Sequence, residues 1–585
     1  MKKILVILVA MGMALAFAGD PNTYVEQSFG DIDTLDPTQA YDSASGQVIE
    51  NVYEGLYGYK GESITEYEPL LATSYEISDD GKTYTYHLRE GVKFHSGNDF
   101  SCKDVEYSIQ RTLVTNPPDS GSWILMEPLM GVGGSINDMV GENADDAAYA
   151  DAWAKVDNAV VCVDDMTVQF NLQFGDPAFF SKLLFYAGYI VDSQWAIENG
   201  MWDGTEATMK DWIGVDLRDH FMQTHMSGTG AYKMLAWEPG IQYSAEKFDG
   251  YWGKEAKIQN IVLQQVEENA SRIEALKRGD ADLVALGSGR PDLAKVQGQP
   301  GIRITDAADP DGPDWSSVVV GAVFMAQEIA AEENPYIGSG KLDGEGIPAN
   351  FFSDIHVRKC MNYAFDPDTY IEAVRQGKGK KLTMALPPSY LGYDDTIPTY
   401  SLDLEKAAEH CKAAWGGQLW EKGMKFTLLY NTGNIGRQTS AEILKDGLEA
   451  LNPKFSVDVK GVQWSDFLGA RRAKKLPMSI VGWIPDYADP DNYIHTFYAK
   501  GGYYADGSNY SNPEINELDQ QARTEDDRKV REFLYGQIGR LAYEDAPMIL
   551  LPQGVPFRVI REEVKGDYRN PMLSGSWLWK DMWKE

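Results

Sequence analysis

One long apolar run, residues 4–15, stands at the start of the chain, and no later run approaches the length of a membrane span. Two lysines precede this run and Ala16-Phe17-Ala18 follow it, with small residues at the first and third positions, which is the pattern of a cleavable secretory signal. A membrane anchor is the alternative, but the run is shorter than the about 20 residues that span a bilayer. We therefore predict a signal peptide over residues 1–18 and an exported protein that begins at Gly19. No cysteine follows the cleavage site, so a lipid anchor is not expected.

The roughly 567 residues after position 18, of 585 in all, exceed what a single hydrophobic core supports, so we expect two or three domains. The chain is 43% hydrophobic and 12% aromatic, and its net charge of −35 therefore indicates a solvated acidic surface rather than disorder. A charge of this sign repels phosphate backbones and anionic membranes. Nucleic acid is accordingly excluded as a partner.

The cysteines of this exported chain are even in number, which favours disulfides over metal binding or catalysis. They are Cys102, Cys162, Cys360 and Cys411. Three pairings are possible, and buried free thiols are the alternative. Zinc-ligand spacings are absent and the seven histidines are scattered, so we predict neither a metal site nor a cofactor.

Local patterns predict several elements. Alternation over residues 84–88 predicts a strand that leads into a turn at 89–91. Ser101 and Asp104 are typical of the N-cap and first turn of a helix that runs to Thr112. Residues 131–151, rich in Gly, Asn, Asp and Ala, are predicted to form a solvated surface loop.

The segment 482–493 follows an apolar strand and places a carboxylate, Asp486, close to the indole of Trp483. A buried carboxylate of this kind binds an ammonium group through a charge-assisted hydrogen bond. The segment is therefore suited to a solute with a positive charge.

This segment and several others, taken in chain order, resemble one known family. The others are residues 88–105, 228–240, 251–253, 275–283, 357–366 and 564–568. Together they span nearly the whole mature chain and are similar to the family 5 extracellular solute-binding proteins, the dipeptide- and oligopeptide-binding receptors of ABC importers.

The resemblance implies an α/β fold of the class II (cluster C) periplasmic binding protein type, with two lobes, an interlobe cleft and a small inserted domain. It implies a discontinuous first lobe at 19–52, 222–316 and 546–585, an inserted domain at 53–221 and a second lobe at 317–545. On this division Cys102 and Cys162 fall in the inserted domain, and Cys360 and Cys411 fall in the second lobe. The favoured disulfides therefore join Cys102 to Cys162 and Cys360 to Cys411.

The resemblance also implies a set of ligand-contacting residues. Asp486 corresponds to the family's anchor for the ligand's α-amino group, and Trp483 and Trp464 to aromatic walls of the cleft. The remaining candidates are Tyr487, in the same segment as Asp486, and Tyr41, Ser43 and Ser45 in a first-lobe loop. Both serines are alternatively helix-capping residues. Asp489 precedes a proline and is interpreted as a residue that shapes the loop.

One departure from the family concerns the ligand's carboxylate. In the dipeptide receptors an arginine pairs with this carboxylate. The corresponding stretch here, residues 429–434, contains no arginine. Arg437 follows on the predicted helix and receives no carboxylate role. Pro485 also precedes Asp486 and removes a backbone donor.

The predicted function is capture of short peptides in the interlobe cleft by a monomeric periplasmic receptor, which delivers them to the permease of an ABC importer. Glu76 stands where a phosphate-binding loop requires glycine, so the ATPase must be a separate subunit. An oligosaccharide receptor of the same family is the alternative, and a receptor for a nickel complex or another cationic solute is a third branch. A secreted hydrolase is the hypothesis from another class, but no nucleophile elbow or metalloprotease helix is present, and we predict no catalytic residues.

Overall fold

The computed structural model describes residues 20–141, 144–176, 178–287, 289–525 and 527–585. The predicted signal peptide and the predicted start at Gly19 lie outside these residues. None of the helices in the described ranges is long and apolar enough to cross a membrane.

A first sheet combines distant parts of the chain. Within the described ranges it has seven strands, in the spatial order Ile302–Asp306, Phe557–Arg561, Leu283–Val284, Thr23–Ser28, Asn260–Gln265, Gln242–Lys247 and Tyr232–Glu238. The central pair is parallel, with Thr23 opposite Asn260. Its helices are Ser43–Val52, Asn269–Arg278 and Leu293–Val296. The second of these ends at Gly279, which has the left-handed conformation typical of a glycine cap.

A second sheet forms the other large unit. Its five strands in the described part of the chain are, in spatial order, Phe455–Val462, Met424–Asn431, Met478–Trp483, Val320–Met325 and Met548–Leu551. Side chains of Val320–Met325 alternate between two cores, with Val323 packed on one face and Phe324 on the other. Both faces are therefore covered, mostly by helices. The strand Met548–Leu551 belongs to this sheet, so the proposed division between the lobes moves from 545/546 to a point after it.

The helices of this second unit follow one another closely in the chain. They are Ile355–Ala364, Pro367–Arg375, Leu404–Ala413, Gln418–Lys422, Ile435–Leu451, Trp464–Arg472, Asp491–Tyr498, Tyr503–Gly507, Pro513–Thr524 and Arg528–Asp545.

A smaller, antiparallel sheet is formed by residues that lie, along the chain, between the helix Ser43–Val52 and the strand Tyr232–Glu238. Among the described residues its spatial order is Ala72–Ile77, Thr83–Leu88, Thr167–Asn171 and Val160–Asp164. The predicted strand at 84–88 is therefore present, and it pairs with the preceding strand in a hairpin. The surrounding helices are Cys102–Thr115, Trp123–Met130, Ile136–Val140, Asp146–Ala159, Phe179–Lys182, Ser193–Glu198 and Glu206–Trp212. The first of these begins with the predicted capping box between Ser101 and Asp104.

The sequence prediction of a loop at 131–151 is wrong. Ile136–Val140 and Asp146–Ala159 are helices that begin within this stretch, the first with a capping box between Ser135 and Asp138. Ile136, and Ala152 just beyond the stretch, are buried in a hydrophobic core that also includes Tyr24 and Tyr232. Tertiary burial and capping therefore outweigh the polar composition of this stretch.

Both favoured disulfides are present. Cys102, the first residue of its helix, is bonded to Cys162 in the strand Val160–Asp164. Cys360 and Cys411 join the helices Ile355–Ala364 and Leu404–Ala413. Each bridge therefore links two elements of the same unit.

Candidate ligand-binding site

Two adjoining cavities lie between the first and the second sheet. The smaller, which we call the anchor cavity, measures about 120 Å³, and the larger, the side cavity, about 290 Å³. Residues of the anchor cavity include Tyr41, Asp42, Trp483, Asp486 and Tyr503. Residues of the side cavity include Glu26, Asp31, Gln47, Gln242 and Gln264. Both are lined by Ser43, Arg437, Trp464 and Ser574, so the two cavities are neighbours that share part of their wall.

Asp486 lies in the loop between the strand Met478–Trp483 and the helix Asp491–Tyr498, and only 6% of its surface is exposed. Its Oδ2 accepts hydrogen bonds from the Tyr41 hydroxyl and from Nδ2 of Asn492, both at 2.9 Å. Asn492 Oδ1 in turn accepts from the Asp486 backbone N–H and from Nε1 of Trp483. The carboxylate is thus held in one orientation at the wall of the anchor cavity.

The electrostatic setting of Asp486 is unusual. Within the described residues, no lysine, arginine or histidine nitrogen lies within 4.0 Å of its oxygens. Burial raises the pKa of the Asp486 carboxyl to about 7, against the opposing effect of the bonds from Asn492 and Tyr41. A buried carboxylate that lacks a cation costs stability, and a cationic ligand supplies the missing partner.

Aromatic rings form much of the anchor cavity. Trp483 is nearly buried, and its ring meets Tyr41 edge-on, with the centroids 5.6 Å apart. Trp464 begins a helix, and its Nε1 donates to Oδ1 of Asp42 at 3.4 Å. Both tryptophans line the anchor cavity, as do the sequence candidates Tyr41 and Ser43.

Ser45 lines neither cavity. It is fully buried, and its Oγ accepts from the backbone N–H groups of Asp33 and Thr34. The helix Ser43–Val52 is capped by Asp42, whose Oδ1 accepts from the N–H groups of residues 44 and 45. Ser45 consequently holds the loop in place, and neither serine is the cap.

Tyr487 also points away from the anchor cavity, although it follows Asp486 directly. Its ring is fully buried, its hydroxyl donates to Oδ2 of Asp491 at 3.0 Å, and the Lys182 ammonium lies 5.3 Å from its ring centroid. Asp489, two residues after Tyr487, pairs with the guanidinium of Arg531. Successive residues of this loop therefore face different surroundings, and Asp486 is the carboxylate of the loop that faces the cavity.

Sequence reasoning assigned no role to Arg437, which lines both cavities. One guanidinium nitrogen donates to Oδ1 of Asn431 at 2.8 Å, and the group lies 5.1 Å from the Trp464 ring centroid. In the described part of the chain, no carboxylate oxygen lies within 4.0 Å of it. Burial lowers the pKa of Arg437 to about 10. The sequence does contain a signal for a role of Arg437. It is a cation in the first turn of the helix Ile435–Leu451, where it opposes the helix dipole.

Comparison with known proteins identifies the family. Residues 66–505 match the model of the bacterial extracellular solute-binding proteins, family 5. The chain belongs to this family. Its membership confirms the resemblance seen in the sequence, and the family is one of solute-binding proteins.

Relatives of this family-5 chain include the dipeptide-binding protein of Escherichia coli K12, 26% identical over 96% of this chain and 95% of that protein. Heme-binding protein A of Haemophilus influenzae is 26% identical over 91% of this chain and 86% of that protein. The periplasmic binding protein DppA of Helicobacter pylori, solved with the peptide STSA, has a TM-score of 0.74 and 22% identity, and the match covers 96% of this chain and 98% of that one. The last likeness confirms the predicted class of fold.

Proposed function

We propose that this protein is a periplasmic receptor that captures short peptides between its two lobes and delivers them to the permease of an ABC importer, powered by a separate ATPase. The observation that carries the proposal is the buried carboxylate of Asp486, oriented at the wall of the anchor cavity and lacking a cation in the described structure. The names of the relatives, among them a dipeptide-binding protein, support the same ligand class.

In this proposal the peptide's α-amino group binds Asp486. An ammonium group has three donors, and a charge-assisted hydrogen bond to a buried carboxylate contributes more than a neutral one, about 1.5–3 kcal/mol. The rings of Trp483 and Trp464 enclose the adjoining part of the ligand while leaving side-chain identity open.

Arg437 receives the peptide's carboxylate in this proposal. It is a cation at the junction of the two cavities with guanidinium donors left over after its bond to Asn431. Planar N–H pairs of arginine match both oxygens of a carboxylate. Arg437 thereby replaces the arginine that the sequence lacks over residues 429–434.

Lobe closure is the step that traps the ligand. Ion pairs across the cleft stabilise the present arrangement of the two lobes. They join Arg472 to Asp33 at 3.3 Å and Arg471 to Asp119 at 3.6 Å. A ligand that contacts Asp486 and Tyr41 together adds differential affinity for the closed form and so shifts the population toward it. We further infer that the protein acts as a monomer.

Thermal unfolding of the mature protein with peptides of two to six residues tests the proposal. Ligand at a hundredfold excess over its Kd adds about 2.7 kcal/mol to the free energy of unfolding. We expect stabilisation by free peptides, none by N-acetylated peptides, and loss of the effect in Asp486→Asn. The matched control is Asp458→Asn, the same change at an exposed position of the second sheet.

Two outcomes contradict the proposal. Stabilisation by cello- or manno-oligosaccharides alone replaces peptide with saccharide as the ligand. Cleavage of the peptides, detected by chromatography after incubation, indicates an enzyme, whereas a receptor returns them intact.

A further inference from the structure

The side cavity is larger than the anchor cavity and has a different chemistry. It lies against the first sheet, beyond Trp464 and Arg437, and its volume of about 290 Å³ is close to the lower end of the range for small-molecule pockets, about 300–1,000 Å³. Polar side chains from two strands and a helix line much of it, among them Gln47, Gln242 and Gln264. A group that enters it therefore meets hydrogen-bonding partners as well as apolar side chains such as Phe29 and Trp237.

Glu26 is the central charged group of this cavity. It lies on the strand Thr23–Ser28 and accepts from Nε2 of Gln47 at 2.9 Å and from the Tyr24 hydroxyl at 3.3 Å. Both donors reach the same oxygen, Oε2. Across the described residues, Oε1 accepts no hydrogen bond and no basic nitrogen lies within 4.0 Å of the carboxylate.

Asp31 adds a second carboxylate at the same cavity. Its Oδ1 accepts from the backbone N–H groups of Ile32 at 2.9 Å and Gly240 at 3.4 Å. In the described structure its Oδ2 accepts no hydrogen bond, and no basic group pairs with it.

The balance of charge in the side cavity is therefore negative. Its described lining residues include two carboxylates, Glu26 and Asp31, and one cationic side chain, Arg437. Arg437 lies at the junction with the anchor cavity. A neutral or acidic group placed there leaves the carboxylates without a partner, and an acidic group adds repulsion. A lysine or arginine side chain supplies donors to the free oxygens and compensates the charge.

We propose that the side cavity binds the cationic side chain of the peptide residue that follows the one held at Asp486, so that the receptor prefers peptides with lysine or arginine at their second position. This inference rests on the proposed peptide-binding function and specifies its substrate class. Glu26 is the specificity-determining residue, and Asp31 supports it.

The test compares peptides that differ in one charge. Titration calorimetry measures the Kd of Ala-Ala, Ala-Lys, Ala-norleucine and Ala-Glu, in which norleucine has an apolar chain similar in length to that of lysine. We expect Ala-Lys to bind roughly tenfold to a hundredfold more tightly than Ala-norleucine, the ratio that a charge-assisted hydrogen bond produces. Ala-Glu should be the weakest.

Glu26→Gln should abolish the preference for lysine, so that Ala-Lys and Ala-norleucine bind with equal Kd. The amide oxygen of glutamine still accepts from Tyr24 and Gln47, so the local structure is retained. Glu90→Gln, the same change at an exposed position, is the control and should retain the preference.

Two results overturn the inference alone: equal binding of Ala-Lys and Ala-norleucine by the wild type, or a lysine preference that survives Glu26→Gln. Failure of every peptide, Ala-Ala included, to bind the wild type overturns the proposed function and this inference with it. The Ala-Ala titration therefore separates the two failures.

Discussion

The Tyr41 hydroxyl donates to Oδ2 of Asp486 at 2.9 Å and accepts from Nε1 of Trp123 at 2.9 Å. Tyr41 precedes the first helix of the first lobe, whereas Asp486 follows a strand of the second sheet. The carboxylate proposed to bind ligand is therefore oriented by groups from both sides of the cleft. The bond from Tyr41 also lowers the pKa of this carboxyl, against the larger effect of its burial.

Ligand binding should depend on pH near neutrality. Burial raises the pKa of Asp486 to about 7, and an ammonium ligand binds the ionised form, so binding lowers that pKa. The affinity for peptide is then highest above pH 7. It falls as the pH drops through 7, by about tenfold for each further pH unit. Above about pH 8 affinity falls again, because the ligand's own α-amino group loses its proton.

Calorimetry of a dipeptide between pH 5.5 and 9, in buffers of different ionisation enthalpy, checks this dependence. Proton release on binding below pH 7 is the expected signature. An affinity that stays constant from pH 5.5 to 7.5 would show that Asp486 is ionised in the free protein or does not contact the ligand.

Tyr41→Phe should move the acidic limb of that profile to higher pH. The hydroxyl lowers the pKa of Asp486, so its removal raises that pKa further and leaves Trp123 Nε1 without its acceptor. We expect a weaker complex at pH 7 with partial recovery at pH 8. Tyr430→Phe, at a ring that lines neither cavity, should leave the profile unchanged. A uniform loss at every pH would contradict an effect through Asp486.

Arg437→Met should remove the distinction between peptides with a free carboxylate and the same peptides amidated at the C-terminus. The wild type should prefer the free acid by roughly tenfold to a hundredfold, because the guanidinium then makes charge-assisted hydrogen bonds. Arg437→Lys keeps the charge but not the planar donor pair, and should fall between the two. A preference for the free acid that persists in Arg437→Met would assign the carboxylate to another group.

Elements set by neighbouring residues could be predicted from the sequence. The capping box of Ser101 and Asp104 and the left-handed cap at Gly279 each depend on a few adjacent positions. The helices that begin at Ile136 and Asp146 were missed, because burial of a few of their side chains in a core built from distant parts of the chain decides them. The capping signal of the first of these helices, Ser135 with Asp138, is nevertheless visible in the sequence.

The direction of each side chain at the site could not be predicted in the same way. Tyr487 is adjacent to Asp486, yet it faces Asp491 and Lys182, because distant parts of the chain pack against this loop. Ser45 turns toward the backbone of Asp33 for the same reason. The segments chosen from the family pattern contribute residues to the anchor cavity, and tertiary packing decided which of their residues line it.

Arg111 and Asp36 form a buried ion pair that joins the small domain to the first lobe, and we predict that breaking it is costly. Both side chains are fully buried, and the guanidinium donates to both oxygens of Asp36 and to Oγ1 of Thr38. Asp36→Ala leaves a buried cation unpaired and should lower the free energy of unfolding by about 3–5 kcal/mol. Urea denaturation followed by tryptophan fluorescence measures the change.

The double variant Asp36→Leu with Arg111→Met should be less destabilised than Asp36→Ala, since no unpaired charge then remains in the core. The exposed pair of Lys60 and Glu66 is the control, and Glu66→Ala should cost at most about 1 kcal/mol. Equal losses for Asp36→Ala and Glu66→Ala would mean that water reaches Arg111, and the two domains would then be held together by apolar packing rather than by this pair.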